Sequence, residues 1–354
     1  MAAKRNLFLT LAGFVVVALL LWFAQKNLNP YYQRILTLSA IYAIFAVTFN
    51  LIFGYTGQFS LGHAGFAAVG AYVTALLTMS PAQKAANFFL QPIVPFLRDV
   101  ELPFLPALLI GGLVTVLVSL FVGVPALRLR GDYLAIATLG FSEIIRVLLV
   151  NLQSLTNGAL GLKGIPGNTN LLYAWGMLAF CVIVCKRLVD SSYGRAMKSV
   201  RDDEVAAEAL GVNLFKHKIL AYMVSSFFAG IAGGLLANLI STIDPKVFYY
   251  TLAYQIVGIT VIGGMGSLTG SIIAASLYTI FLELLRPIES PFNIGSLQVP
   301  GIPGMRMVIF SVLLLVVILF YRRGLMGDSE FTWDALFGFL KKPKGRNGQE
   351  GRVA

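Results

Sequence analysis

The chain has 354 residues, of which 57% are apolar and only 12% charged, about half the charged share of an ordinary soluble domain. That balance excludes a disordered or nucleic-acid-coating protein, and two cysteines and two widely separated histidines exclude a disulfide framework and leave no metal-ligand spacing. The formal net charge of +11 admits two readings: a basic surface for anionic partners, or the Lys/Arg excess that membrane proteins keep in cytoplasmic loops.

Apolar runs of about 17–25 residues, the length that crosses a bilayer, recur along the chain. The first, 7–24, follows Lys4 and Arg5. It is longer than a usual signal-peptide core and carries Trp22 where cleavage needs a small residue, so it reads as an uncleaved span. Further spans are predicted at 35–53, 62–79, 104–124, 132–150, 171–188, 219–241 and 306–321. The interval 251–285 is too long for one ordinary crossing, and Gly263-Gly264-Met265-Gly266-Ser267 divides it into 251–263 and 268–285. The fold class is therefore all-α: a polytopic membrane protein of about ten transmembrane helices, with a transmembrane unit over 1–326 and a tail over 327–354.

The basic residues test this topology. With Lys4 and Arg5 cytoplasmic, 18 of the 27 Lys/Arg fall in cytoplasmic segments and 7 in external ones, which favours both termini inside. The external stretch 80–103 holds Pro81, Pro92, Pro95 and Pro103, so it cannot be one regular helix and is expected to cap the outer face. The cytoplasmic stretch 189–218 is too polar to span. In the tail, Phe331–Leu340 combines aromatic residues with the basic Lys341-Lys342-Pro343-Lys344, a pattern suited to a headgroup layer, and the last ten residues are expected to be disordered.

Between spans two and three, Gly54, Gly57, Gly62 and Gly65 surround Gln58, Ser60 and His63. This polar break either lines a pathway through Gly57, Gln58, Ser60 and His63, or forms a tight turn with His63 at a helix end. Gly264 and Gly266 in the second break pose the same choice. The row Gly111, Thr115, Ser119 and Gly123 and the pairs Gly230/Gly234 and Gly266/Gly270 have the spacing of helix-packing faces. Glu143 and Arg146, spaced i, i+3 inside a span, form an intramembrane ion pair that is either structural or part of a gate or subunit contact. No nucleophile with its base and no paired carboxylates share one helix, and no phosphate-binding Gly-x-x-x-x-Gly-Lys-Ser/Thr loop is present.

Within 189–218, residues 195–211 are expected to form a short helix. Asp202, Asp203 and Glu204 place negative charge on its first turn, alanines favour it, and Gly211 suits its end. Val205, Ala209 and Val212, flanked by Ala206 and Leu210, give it a modest apolar side. The pattern Tyr193-Gly194-Arg195-Ala196, Val200-Arg201-Asp202, Glu204-Val205-Ala206-Ala207 and Gly211-Val212 resembles the coupling-helix segment of ABC importer permeases of the branched-chain amino acid branch. The stretches 54–66, 130–140, 157–166 and 263–270 are similar to that family's glycine-containing signatures, in the expected order. The length, the long external loop and Arg323-Gly324-Leu325-Met326-Gly327 resemble the larger, M-type permease subunit.

The resemblance implies an inner-membrane permease that pairs with a homologous permease, two cytoplasmic ATPases and an extracytoplasmic binding protein, with no nucleic-acid partner. It implies that this chain binds no cofactor, ATP-Mg being held by the ATPases. It assigns ATPase coupling to Gly194, Arg195, Arg201, Asp202, Glu204, Val205, Ala206, Ala209, Leu210 and Gly211, with Arg195, Arg201, Asp202 and Glu204 positioning the helix. Related permeases serve urea, short amides or other amino acids, and an ion-coupled secondary transporter is a rival of another class.

Overall fold

The computed structural model describes residues 2–289, 292–294, 297–299, 301–321, 323–327 and 329–330. The expected interfacial piece of the tail and the polar end beyond it lie outside the described residues.

The helices run in the order α1 Ala2–Asn27, α2 Pro30–Thr56, α3 His63–Thr78, α4 Pro81–Asn87, α5 Pro95–Arg98, α6 Phe104–Ala126, α7 Asp132–Asn151, α8 Gln153–Thr156, α9 Leu171–Asp190, α10 Ser192–Asp202, α11 Glu204–Ala209, α12 Leu214–Ile240, α13 Tyr250–Gly263, α14 Leu268–Leu284 and α15 Met305–Phe320. Each of the ten predicted spans coincides with one of them. Among the described residues, six helices are long and apolar enough to cross a bilayer, and the apolar α3, α13 and α15 are shorter. At about 1.5 Å per residue, the 14 residues of α13 reach about 21 Å, less than a hydrocarbon core of about 30 Å. The segment that enters it, 244–249, is irregular turn structure.

Polar residues stop and start these helices where apolar runs alone would not. Asn29, Asn170, Asn213 and Ser267 accept backbone N–H groups at the starts of α2, α9, α12 and α14, satisfying donors that no helix can satisfy itself. Gly57, in the left-handed region at φ 72°, ends α2.

The centre of the molecule is α2 and α12. Helix α12 packs on α2, α3 and α6, and α2 also packs on α9 and α14. Gly70 of α3 faces Gly230 of α12 so closely that a Cβ on Gly70 would overlap the Gly230 carbonyl, and a Cβ on Gly230 would overlap Thr115 of α6. Between apolar helices in lipid, such contact replaces the hydrophobic driving force that water would supply. The row Gly111, Thr115, Ser119, Gly123 is buried as expected, with Ser119 bonded to Ser226 at 2.7 Å.

From α2 onward the connections alternate between two ends. At one end, 80–103 forms α4 and α5 with irregular joints. Lys84 there is buried and donates to the carbonyls of Leu97 and Val100. Asn87 exchanges two hydrogen bonds with the backbone of Lys163, and Leu162 and Lys163 pair with Thr242–Ile243 in a two-residue antiparallel ladder. A second ladder joins 292–294 to 297–299. At the other end meet 54–62, 127–131, 191–217, 264–267 and 323–330.

Candidate functional site

The second end is organised around α10 and α11. Helix α10 can turn sharply off α9 because residue 194 is glycine: a Cβ there would overlap the Val189 carbonyl. Met197 and Val200 bury one side of α10. The expected single helix over 195–211 is two helices. Asp203 adopts an extended conformation, and its Oδ1 accepts from the backbone N–H of Val205 at 2.8 Å and Ala206 at 3.0 Å. An Asp with that cap geometry starts a new helix instead of continuing the old one. Gly211, at φ 83°, closes α11.

Two side chains fasten this pair of helices to the transmembrane body. The Arg201 guanidinium donates to the Gly54 carbonyl at 3.0 Å, and Gly57 leaves room for the Arg201 backbone beneath it. Glu204 accepts from the buried Lys218 ammonium at 2.5 Å and faces the Arg130 guanidinium at 3.4 Å. Asp202 instead pairs with its neighbour Arg201 and is exposed, and Arg195 is exposed. The positioning role expected of Arg195 and Asp202 thus rests geometrically on Arg201 and Glu204, with Asp203 as cap. Ala207 turns inward, while Ala206 and Ala209 are exposed and Val205 and Leu210 stand 68% and 84% exposed. That outward side is the predicted apolar side of the segment.

The two glycine breaks pack against each other. Asn50, buried in α2, accepts from Gly266 N–H at 2.8 Å through Oδ1, and its Nδ2 donates to the carbonyls of Gly264 and Ser267 and to Ser271 Oγ. Gly264 and Gly266 therefore lie in a buried interhelical turn, both at positive φ. The chain after α15 returns to the same turn: Leu325 and Met326 N–H donate to the carbonyls of Ile262 and Gly263. Glu330 accepts from the N–H groups of Leu268 and Thr269 and from Tyr55 Oη, a carboxylate at the positive end of α14.

Gln58, Ser60 and His63 are buried, whereas Gly57 is exposed. His63 Nε2 meets Ser225 Oγ at 3.0 Å, and Ser225 donates to the Thr48 carbonyl. Ser225 has one hydrogen to give, so the network assigns the His63 proton to Nε2 and leaves Nδ1 without a protein partner. His63 thereby joins α3 to α2 and α12, and all three side chains are buried in this conformation. Glu143 and Arg146 form the expected ion pair on α7, through Arg146 Nε at 2.8 Å. Among the described residues no cluster of three or more His, Cys, Asp or Glu could hold a metal ion.

Sequence reasoning missed Asn50, Arg130, Lys218, Asp203 as cap, and Glu330. Asn50 carried a usable signal, as a lone amide inside the apolar run 35–53. The partner of a surface charge such as Glu330 carries none.

Residues 31–319 match the family described as branched-chain amino acid transport system, permease component. The chain is 31% identical to the high-affinity branched-chain amino acid transport system permease protein LivM of Salmonella typhimurium, over 84% of this chain and 72% of that protein. It is 33% identical to LivM of Escherichia coli, over 75% of this chain and 66% of that protein. With the permease protein LivH of Salmonella typhimurium it shares 22% identity over 72% of this chain and 82% of that protein. No solved structure matches.

Proposed function

Because the chain belongs to the branched-chain amino acid transport permease family, we propose that it is the membrane-spanning permease of an ATP-driven importer of leucine, isoleucine and valine. It works with a homologous permease, two ATPase subunits and an extracytoplasmic binding protein. The likeness to both LivM and LivH of one organism supports two related permeases in one system, with this chain in the LivM place. ATP and Mg are held by the ATPases, and this chain performs no catalysis of its own. Its place is the cell inner membrane, with both termini and the α10–α11 end in the cytoplasm, as the distribution of Lys and Arg favours.

The observation that carries this reading is the α10–α11 knob. It is fastened by Arg201 and Glu204 and presents Val205 and Leu210 outward, uncovered among the described residues. Closure of the ATPases pushes on this knob, and the Gly54 and Lys218 attachments pass the motion to α2 and α12, whose rearrangement exchanges outward for inward access. Coexpression with the homologous permease, ATPases and binding protein, followed by leucine uptake into proteoliposomes, tests it. ATP-dependent leucine accumulation is expected. Uptake that persists without the ATPases favours an ion-coupled carrier, and a binding protein that retains urea or a short amide instead of leucine moves the substrate class.

A further inference from the structure

Lipid-facing sides of this protein are recognisable by what they expose. Outward residues in the middle of α1, such as Val16, Leu20 and Phe23, of α6, such as Leu113, Leu117 and Phe121, and of α15, such as Val312, Leu315 and Leu319, are apolar. Helix α7 breaks this pattern. Its buried side is Leu134, Ala135, Thr138, Ser142, Ile145 and Leu149, the exposed residues along its middle, Ile136, Gly140, Ile144, Val147 and Leu148, are without charge, and Glu143 and Arg146 lie on the flank between the two, toward Tyr249. Glu143 is 44% exposed and Arg146 23%. At about 1.5 Å per residue, Glu143 lies about 16 Å from the start of α7 and about 12 Å from its end, near the middle of a crossing. Among the described residues, no other acidic side chain lies so deep in a predicted span. A carboxylate held there in contact with hydrocarbon would cost about 3 kcal/mol or more, so the Glu143–Arg146 flank of α7 does not face lipid.

The surroundings fit a polar, charged visitor. The Arg146 guanidinium lies over the Tyr249 ring, 5.4 Å from its centroid, and Tyr250 and Tyr254 extend the aromatic wall along the start of α13. The backbone leading to that start is irregular, and irregular backbone at membrane depth is tolerated where it lines a cavity or is buried in protein. Above Gly140 the helix is open: a Cβ there would touch nothing within 4 Å.

We propose that Glu143 and Arg146 form a zwitterion-binding station in the translocation path, where a free amino acid exchanges the internal ion pair for two of its own. Arg146 receives the α-carboxylate through its planar fork, Glu143 receives the α-ammonium, and the aliphatic side chain lies over Gly140. The closed pair keeps both charges neutralised while the station is empty, and the substrate replaces each lost contact with one of equal sign and geometry. This inference rests on the amino-acid importer reading.

The test uses the complete transporter in proteoliposomes, with wild type required first to import leucine. Failure at that step removes the importer reading, independently of the station. With wild type active, the double variant Glu143→Arg/Arg146→Glu keeps an i, i+3 ion pair while exchanging its ends. The station predicts normal assembly, with leucine uptake kcat/KM lowered at least about tenfold, the loss of one charged contact at about 1.4 kcal/mol per decade. Uptake within twofold of wild type would make the pair structural and overturn the proposal. Val147→Cys is then exposed to a charged, membrane-impermeant thiol reagent, with wild type as the blank because Cys181 and Cys185 are buried. Labelling that leucine slows is expected. No labelling, or labelling indifferent to leucine, marks a dry subunit contact or an unrelated aqueous surface and likewise overturns it.

Discussion

The Lys218 ammonium, buried at the start of α12, reaches Glu204 of α11 at 2.5 Å, and Glu204 has no closer cation. This contact joins the α10–α11 knob to the helix at the centre of the bundle. Removing Glu204 would strand a buried ammonium, at about 3 kcal/mol.

Glu204→Lys is therefore expected to abolish leucine-stimulated ATP hydrolysis while basal hydrolysis and membrane insertion persist. Asp202→Lys, which alters only an exposed pair with a neighbour, is expected to stay within about twofold of wild type, as exposed pairs contribute about 1 kcal/mol or less. Rates measured with and without loaded binding protein decide; equal losses in both variants would contradict the assignment.

Asn50→Leu removes a side chain that holds the 264–267 turn to α2 from both its N–H and carbonyl sides. Buried groups left unpaired cost about 1–3 kcal/mol each, so a clear drop in melting temperature in detergent is expected. Asn50→Asp restores the acceptor but not the donors, and it is expected to recover little.

Gly70→Ala is expected to lower expression and thermal stability strongly, because its Cβ would overlap the Gly230 carbonyl and two packed helices must separate. Gly176→Ala on α9, where a Cβ meets nothing within 4 Å, is expected to be neutral or to gain up to about 1 kcal/mol from helix propensity. Parallel melts of the two variants check the contrast.

Lys84 in the 80–103 segment has its pKa held below the ordinary 10.5, first by desolvation, with Glu101 and Asp99 opposing. A lowered lysine pKa means the folded loop binds fewer protons than the unfolded one between the native pKa and 10.5, so this group's contribution to stability rises with pH through that window. Lys84→Met is expected to flatten that slope and to loosen 80–103 by freeing two carbonyls. Hydrogen exchange of this segment against pH reads both effects.

The ten apolar helices were legible because a long run of apolar residues needs no partner to declare itself, and glycine rows at every fourth position announce close packing in the same way. The break at Asp203 was hidden: Asp202-Asp203-Glu204 satisfies a first-turn charge pattern whether one helix or two is present, and only backbone geometry shows which Asp is the cap. The clasp at Glu204 was legible in one member only, since Lys218 and Arg130 lie 14 and 74 positions away in the chain and nothing local links them. Glu143 and Arg146 were legible as a pair, but their exposure follows from how α7 is packed.

The return of residues 323–330 to the Gly263–Ser267 turn sets an order of events during biosynthesis. Helices α13 and α14 leave the ribosome well before the segment that supplies Leu325, Met326 and Glu330 to their junction. Until that segment arrives, the first N–H groups of α14 lack their carboxylate, so the hairpin waits half-finished in the bilayer. A chain cut short at about residue 322 would insert all ten spans and still be a target for membrane quality-control proteases, whereas a fusion placed after residue 354 leaves the latch intact.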